Sequence, residues 1–277
     1  MRGVSAGPEG AGLDDAPDPA AVADFRDAHA CVLATIADAA QKVARSPSDI
    51  TLVAVSKTIP AARVRAAVAA GLTTLGENRV QEAAEKVPLV PGARWHLVGP
   101  LQSNKAHRAL ELFDVIEAVD SPELARRLDR IAREIRGLPV TGSVPPERRA
   151  RILLEVNVDR DPAKAGFDPD DLVGRLPEIE ALEALDVGGL MTIGRLAGTP
   201  VEARATFVAL RRLSERLRAR PGTRLGATLS MGMSGDYPIA VEEGATIVRV
   251  GTAIFGERPH AGDNDHADGP TDHDPPG

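Results

Sequence analysis

The chain has 277 residues, 43% of them hydrophobic and only 3% aromatic, with a formal net charge of −7. That length can bury a sizeable core, and the absence of any apolar run of about 18 residues excludes a membrane-spanning helix. The opening MRGVSAGPEGAGLDDAPDPA lacks the apolar stretch of a secretory leader. Cys31, the single cysteine, cannot form an internal disulfide, so a reducing, cytoplasmic setting is expected.

The charge is not spread evenly. Residues 1–20 carry −3 and residues 258–277 carry −4, which leaves the body from 21 to 257 formally neutral. Both ends are rich in Gly, Pro and Asp and poor in large apolar residues, so each reads as a disordered tail. His260, His266 and His273 fall in the second tail, where an acidic disordered segment is the better reading than a metal site.

A helical pattern at about 20–45 precedes the first β-rich run, TLVAVS (51–56), which delivers Lys57 and then Thr58, Ile59 and Pro60. For an isolated VSK, a lysine leaving the core for solvent would be the default. ARVRAAVAAG then reads as a helix closed by Gly71. The runs TTLGEN (73–78), RWHLVG (94–99) and FDVIEAV (113–119) follow. SPELARRLDRIAREIRG is a helix with Ser121 as N-cap, Pro122 in the first turn and Gly137 at its end. Residues 138–149, LPVTGSVPPERR, read as a flexible insertion. After RILLEVNV (151–158) and DVGGLMTI (186–193), VEARATFVALRRLSERLRA places Val201, Ala205, Val208, Leu213 and Leu217 near one helix face. ATLSMG (227–232) and TIVRVG (246–251) complete eight strand candidates.

Strands alternating with helices point to a parallel sheet, and near-continuous apolar runs fit burial on both faces. Eight such units within 21–257 match a single (β/α)8 TIM barrel with an extra N-terminal helix. A doubly wound open sheet would want a GxGxxG turn after an early strand, and the sequence has none. Barrel sites form at the C-terminal ends of strands. Lys57, Glu77, Asn78, Gln102, Asn104, Asn157, Thr192, Ser230, Ser234 and Arg249 to Thr252 all fall at or near such ends, with His96 inside the third run. Each has a dull reading as a cap, a core histidine or an ion-pair partner; their joint placement favours a shared site.

A lysine amine at a barrel mouth can form a Schiff base with a carbonyl if desolvation lowers its pKa from about 10.4. That admits a Schiff-base aldolase or a pyridoxal phosphate (PLP) protein. VRVGTAIFG favours the second: Gly251 and Thr252 amides and hydroxyl follow the eighth strand, a place where TIM barrels often hold phosphate. Ser230 and Ser234 could add hydroxyls.

VAVSKTIP, GLTTLGENRVQE, WHLVGPLQSNK, LEVNVD, GLMTI, LSMGMSGDY and VRVGTAIFG, in this order over residues 25–257, resemble the pyridoxal phosphate homeostasis protein family, relatives of the alanine racemase barrel domain. The resemblance implies Lys57 as the Schiff-base lysine, Ser230, Ser234, Gly251 and Thr252 around the phosphate, Arg249 at the pyridine nitrogen and Asn78 close by, with His96 and Met231 near the rim. Ala245 stands where serine is usual. An arginine at the ring nitrogen only donates hydrogen bonds, so it weakens the ring as an electron sink. Nothing after Gly256 replaces the domain that gives alanine racemase its second base. The implied role is PLP storage, buffering or delivery, possible recipients being PLP-dependent apo-enzymes; an amino-acid racemase or lyase is the alternative. A monomer is expected. Arginine-rich helices (Arg126, Arg127, Arg130, Arg133; Arg211, Arg212, Arg216, Arg218) on a neutral body read as solvated faces, not a nucleic-acid surface.

Overall fold

Each of the eight sequence runs forms a strand: β1 (Thr51–Val55), β2 (Thr74–Glu77), β3 (Arg94–Leu97), β4 (Val115–Val119), β5 (Ala150–Glu155), β6 (Leu185–Met191), β7 (Thr228–Ser230) and β8 (Ile247–Val250). All pair in parallel with their neighbours in sequence, and β8 pairs with β1 to close the barrel. The structure, a computed structural model, describes residues 16–194 and 199–256. Closure removes sheet edges, and the connecting helices lie outside: α2 (Ala61–Ala69), α3 (Val80–Lys86), α4 (Ala106–Leu112), α5 (Pro122–Ile135), α6 (Pro169–Glu180), α7 (Pro200–Arg218), α8 (Tyr237–Glu242) and α9 (Thr252–Phe255).

The extra helix α1 (Pro19–Lys42) is capped by Asp18, whose side chain accepts from Ala20 N. It packs on α2, α8 and α9, across the seam where β8 meets β1. Phe25 meets the Phe255 ring edge-on at 5.4 Å, and just past the helix Arg45 donates to the carbonyls of Val241 and Ala245. Pro19 and Ala20 therefore belong to the barrel and not to the first tail. Residues 1–15 and 258–277 of the expected tails lie outside the described residues.

The strands alternate between two apolar layers. Val53, Val98, Val115, Leu153, Met191 and Ile247 fill the barrel interior, while Ala54, Leu97, Ile116, Leu154, Leu190 and Val248 face the helices. Burial on both sides is why the runs read as continuous apolar stretches. Two irregularities break the alternation. Between Ile116 and Val119, two β4 residues oppose the single Leu153 of β5, and Gly188 is extra where β6 meets β5. The β4 bulge lets consecutive Glu117 and Ala118 both face inward.

Ser121 caps α5 as expected, accepting from Leu124 N, and Gly71 after α2 has a positive φ of 96°. Two expectations fail. On α7 the buried face is Ala203, Thr206, Phe207, Leu210, Leu213, Ser214 and Leu217, whereas Val201 and Ala205 are exposed. Thr206 and Ser214 interrupt the apolar stripe and shift its apparent phase. The 138–149 segment is not a free loop: Val144 is 1% exposed, Arg133 donates to the carbonyls of Pro139 and Gly142, and Arg136 and Arg148 exchange guanidinium-to-carbonyl bonds. Other arginines of α5 and α7 clasp neighbouring helices, Arg126 to Glu178 and Arg211 to Glu243.

Gly189 sits at φ 152°, where a Cβ would lie 2.0 Å from the Thr228 carbonyl oxygen of β7. Replacing Gly189 with alanine is expected to cost about 3 kcal/mol or more in denaturant unfolding, because backbone and not a flexible side chain would have to give. A variant as stable as the parent would show that β6 and β7 are not pressed together there.

Candidate functional site

The end of β1 is a tight turn. Ile59 N bonds to Ser56 O, and Thr58 adopts φ 66°, an outlying conformation for a β-branched residue. Thr58 N is held by Glu82 Oε2 at 3.1 Å. Beneath the turn lies a buried pair: Lys86 Nζ is 2.7 Å from Glu77 Oε1 and 2.8 Å from Ser56 O, and the Ser56 hydroxyl donates to the same Glu77 oxygen. Burial raises the Glu77 pKa, against the pull of Lys86 and Ser56. The half-buried Lys57 stands on this platform.

Across the β1–β8 seam, Val53 pairs with Arg249 and Ala54 with Val250. The chain leaving β8 therefore runs beside the turn that carries Lys57. There Gly251 N donates to Ser234 Oγ at 3.1 Å and Ala253 N points to the same oxygen at 3.5 Å. Ser234, Gly251 and the amides that follow are thus brought together next to Lys57, as expected. Asn78 ends β2 at the same mouth, where Gly99 approaches so closely that a Cβ would lie 2.5 Å from Asn78 O.

Arg249 is 4% exposed, inside the barrel. Its guanidinium donates to Ser230 Oγ at 2.5 Å and to Thr192 O at 2.8 Å. Ser230 in turn donates to Glu117 Oε2 at 2.5 Å, and the other Glu117 oxygen meets His96 Nδ1 at 2.6 Å. Burial pushes the Glu117 pKa up, yet His96, Arg249 and Ser230 outweigh it and hold the carboxyl below its usual value. Burial lowers the Arg249 pKa, opposed by Glu117, Glu155 and Asp236.

Three expected placements differ from this arrangement. Ser230 is fully buried with its hydroxyl committed to Arg249 and Glu117, so it positions the arginine and is not free to meet a phosphate. His96 lies inside the barrel and lines a cavity at the opposite, N-terminal mouth. Asn157 spends its amide on its own loop, bonding Asp161 and Lys164 backbone groups. Two carboxylates escaped the sequence reading: Glu117 and Glu155 look like single polar interruptions of apolar strands, and their inward period on β4 and β5 was the available signal. Among the described residues no group of three or more His, Cys, Asp or Glu could hold a metal.

Comparison with known proteins shows the family and the fold. Residues 32–259 match the family model of the alanine racemase N-terminal domain. The chain is 41% identical over 234 residues to the pyridoxal phosphate homeostasis protein of Pseudomonas aeruginosa, covering 82% of this chain and 93% of that protein. PipY of Synechococcus elongatus, solved with PLP bound, is 45% identical with a TM-score of 0.67, covering 80% of this chain and all of PipY (100%). An alanine racemase of Clostridium difficile shares the fold alone, at 17% identity and a TM-score of 0.64, with 86% of this chain matching 58% of that one. The class is therefore the barrel of alanine racemase N-terminal-domain type. Within it, the chain belongs to the pyridoxal phosphate homeostasis protein family.

Glu155 closes β5 and is 6% exposed. Burial and Asp120 push its pKa up to about 7, against Arg249 and Lys164. The folded protein thus retains a proton that the unfolded chain releases near 4.5. The resulting stability is fully present below that lower value and lost as pH rises through about 7. Glu155→Gln is expected to gain roughly 2–3 kcal/mol over the parent on going from pH 4 to pH 8. Denaturant midpoints of the cofactor-free proteins measure this, and a pH-independent difference would refute it.

Proposed function

We propose that the chain binds PLP at the C-terminal mouth of the barrel, held covalently on Lys57, and serves PLP homeostasis by storing, buffering or delivering the cofactor. The observation that carries this reading is the meeting, across one strand seam, of Lys57, the buried Arg249 and the Ser234–Gly251 cluster. The donor set fits PLP: an amine for the aldehyde, a guanidinium for the ring nitrogen, and amides with hydroxyls for the phosphate. PLP supplies the electrophilic aldehyde; the protein supplies the rest. Lys57 presents its amine from a turn fixed by Glu82 and the Glu77–Lys86 pair. Arg249 donates and never accepts, and Ser230, Thr192 and Glu117 prevent it from swinging away. Ser234, Gly251, Thr252 and Asn78 complete the pocket, with Ser230 acting through Arg249.

Binding fits this arrangement better than turnover. A fixed arginine opposes protonation of the ring nitrogen and so weakens the electron sink. The chain's one tyrosine, Tyr237, is 6% exposed and packed in the apolar layer between helices and barrel. The names of the relatives and the PLP bound in PipY support the same role. We read the protein as a monomer of the cytoplasm that can pass PLP to apo-enzymes; no helix among the described residues is long and apolar enough to cross a membrane.

Lys57→Ala is expected to abolish PLP fixation by borohydride while shifting the melting temperature little, because a half-buried turn residue carries little packing. Mass spectrometry of peptides from reduced parent and variant measures this. Reduced PLP found on Lys105 or Lys164 would move the site elsewhere.

A further inference from the structure

At the opposite end of the barrel, where β1, β2, β3, β5 and β7 begin, lies a cavity of about 410 Å³. Its floor is apolar, made by Val115, Leu153 and Ile247, and its walls carry Thr51, Thr74, Arg94 and Arg151. His96 forms part of the lining although it is 96% buried, with a relative exposure of 4%. Because its Nδ1 is committed to the ionised Glu117, that nitrogen carries the donated hydrogen. Nε2 has no hydrogen-bond partner among the described residues.

One cation of this lining is left to meet an anion. Arg94 forms no ion pair or side-chain hydrogen bond among the described residues. Arg151 is turned to Asp186 at 2.9 Å and to Thr228 Oγ1 at 3.2 Å. Asp49 is the one carboxylate in the lining. Arg94 is thus the unspent guanidinium of a lining that also carries the Thr51 and Thr74 hydroxyls and His96 Nε2, with Asp49 and the Arg151-bound Asp186 as the carboxylates nearby, over an apolar floor that suits a small organic body.

We propose that this mouth is a second binding site, for a small molecule bearing carboxylate or phosphate oxygens, coupled to the PLP site through His96, Glu117, Ser230 and Arg249. The consecutive contacts of that chain are 2.6, 2.5 and 2.5 Å. An oxyanion beside Nε2 draws a proton from solvent onto the ring. The imidazolium then competes for the negative charge of Glu117, which relaxes its hold on Ser230 and Arg249. Occupancy at one mouth is thereby felt at the cofactor's arginine, 153 residues after His96 in sequence but three hydrogen bonds away. By linkage, PLP occupancy changes the anion's affinity by the same factor. The coupling rests on the PLP assignment above; the cavity and its anion do not.

The test uses full-length protein loaded with PLP and reduced with borohydride, so that added anions cannot enter the cofactor's own phosphate site. With nitrogen-15 histidine, the His96 resonances are assigned by comparison with His96→Gln. Inorganic phosphate and acetate are then titrated in separate arms at fixed ionic strength. The expected result is a saturable shift of Nε2 toward its protonated position and a parallel change in reduced-cofactor fluorescence. Arg94→Gln should raise the half-saturating concentration at least tenfold without altering PLP stoichiometry. A response to phosphate alone assigns a phosphate-bearing ligand, and a response to acetate alone a carboxylate. A non-saturating response, or one unchanged in Arg94→Gln, overturns the site. A His96 shift without a fluorescence change overturns the coupling. Failure of borohydride to fix PLP strikes the PLP assignment instead, and the Arg94-dependent His96 response still decides the anion site.

Discussion

Glu117 has no solvent exposure, yet its carboxylate stays ionised in the barrel interior. An ion in such a place persists only if its partners are in position together, since removing one partner of a buried pair typically costs about 3–5 kcal/mol. His96 from β3, Ser230 from β7 and Arg249 from β8 supply them. The carboxylate therefore ties β4 to strands on both sides of the barrel. It also sets the direction in which the Arg249 guanidinium points, and thus the electronic character of the mouth above it. Alternation from Val115 turns Glu117 inward, and the β4 bulge beside it keeps Ala118 inward as well.

A second buried ion pair has a parallel role at β1. Glu77 and Lys86 are joined through Ser56 directly below Lys57. Lys86 ends α3, so the pair couples the helix that packs outside β2 to the turn that presents the amine. Thr58 at φ 66° is the strained residue of that turn, and strain of this kind, on the order of 1–3 kcal/mol, survives where its surroundings over-determine it. The Thr58 amide bond to Glu82, itself 3.8 Å from Lys86 Nζ, is such a constraint. Both polar networks are built to hold one cationic side chain each, Lys57 in one case and Arg249 in the other, on adjoining strands.

This division of labour accounts for an alanine racemase-type barrel in the service of cofactor holding. On the proposed reading, Lys57, Arg249 and the Ser234–Gly251 cluster would be the amine, the ring-nitrogen partner and the phosphate cradle, meeting at a single strand seam. On the same reading, an arginine at the ring nitrogen would favour holding the cofactor over turnover. Asp120 adds negative potential at the mouth, and Glu155, its pKa pushed up to about 7, adds to it where it ionises. They disfavour an approaching carboxylate and favour an approaching ammonium, the charge carried by a lysine.

The barrel itself was legible from the residues. Its strands announce themselves locally, since a parallel strand buried on both faces has to be apolar throughout, and Ser121 and Gly71 mark helix ends by conformational preferences that need no distant partner. Lys57, Ser234, Gly251 and Asn78 could be placed for the same reason: a residue at the C-terminal end of a barrel strand is at the mouth whatever its neighbours do. What tertiary structure alone decided is how residues inside the strands point and pair. Ser230 and Ser234 look equivalent in LSMGMSGDY, but one lies inside the barrel between Glu117 and Arg249 and the other at the mouth. Ala118 faces inward beside Glu117 because β4 has an extra residue opposite β5, a property of the pairing and not of FDVIEAV. The buried face of α7 and the anchoring of 138–149 likewise depend on Thr206, Ser214, Arg133 and Arg136 finding partners or burial far away in sequence. Local preference determines which segments become strands and helices; where a polar side chain comes to rest depends on partners that only the closed barrel brings within reach.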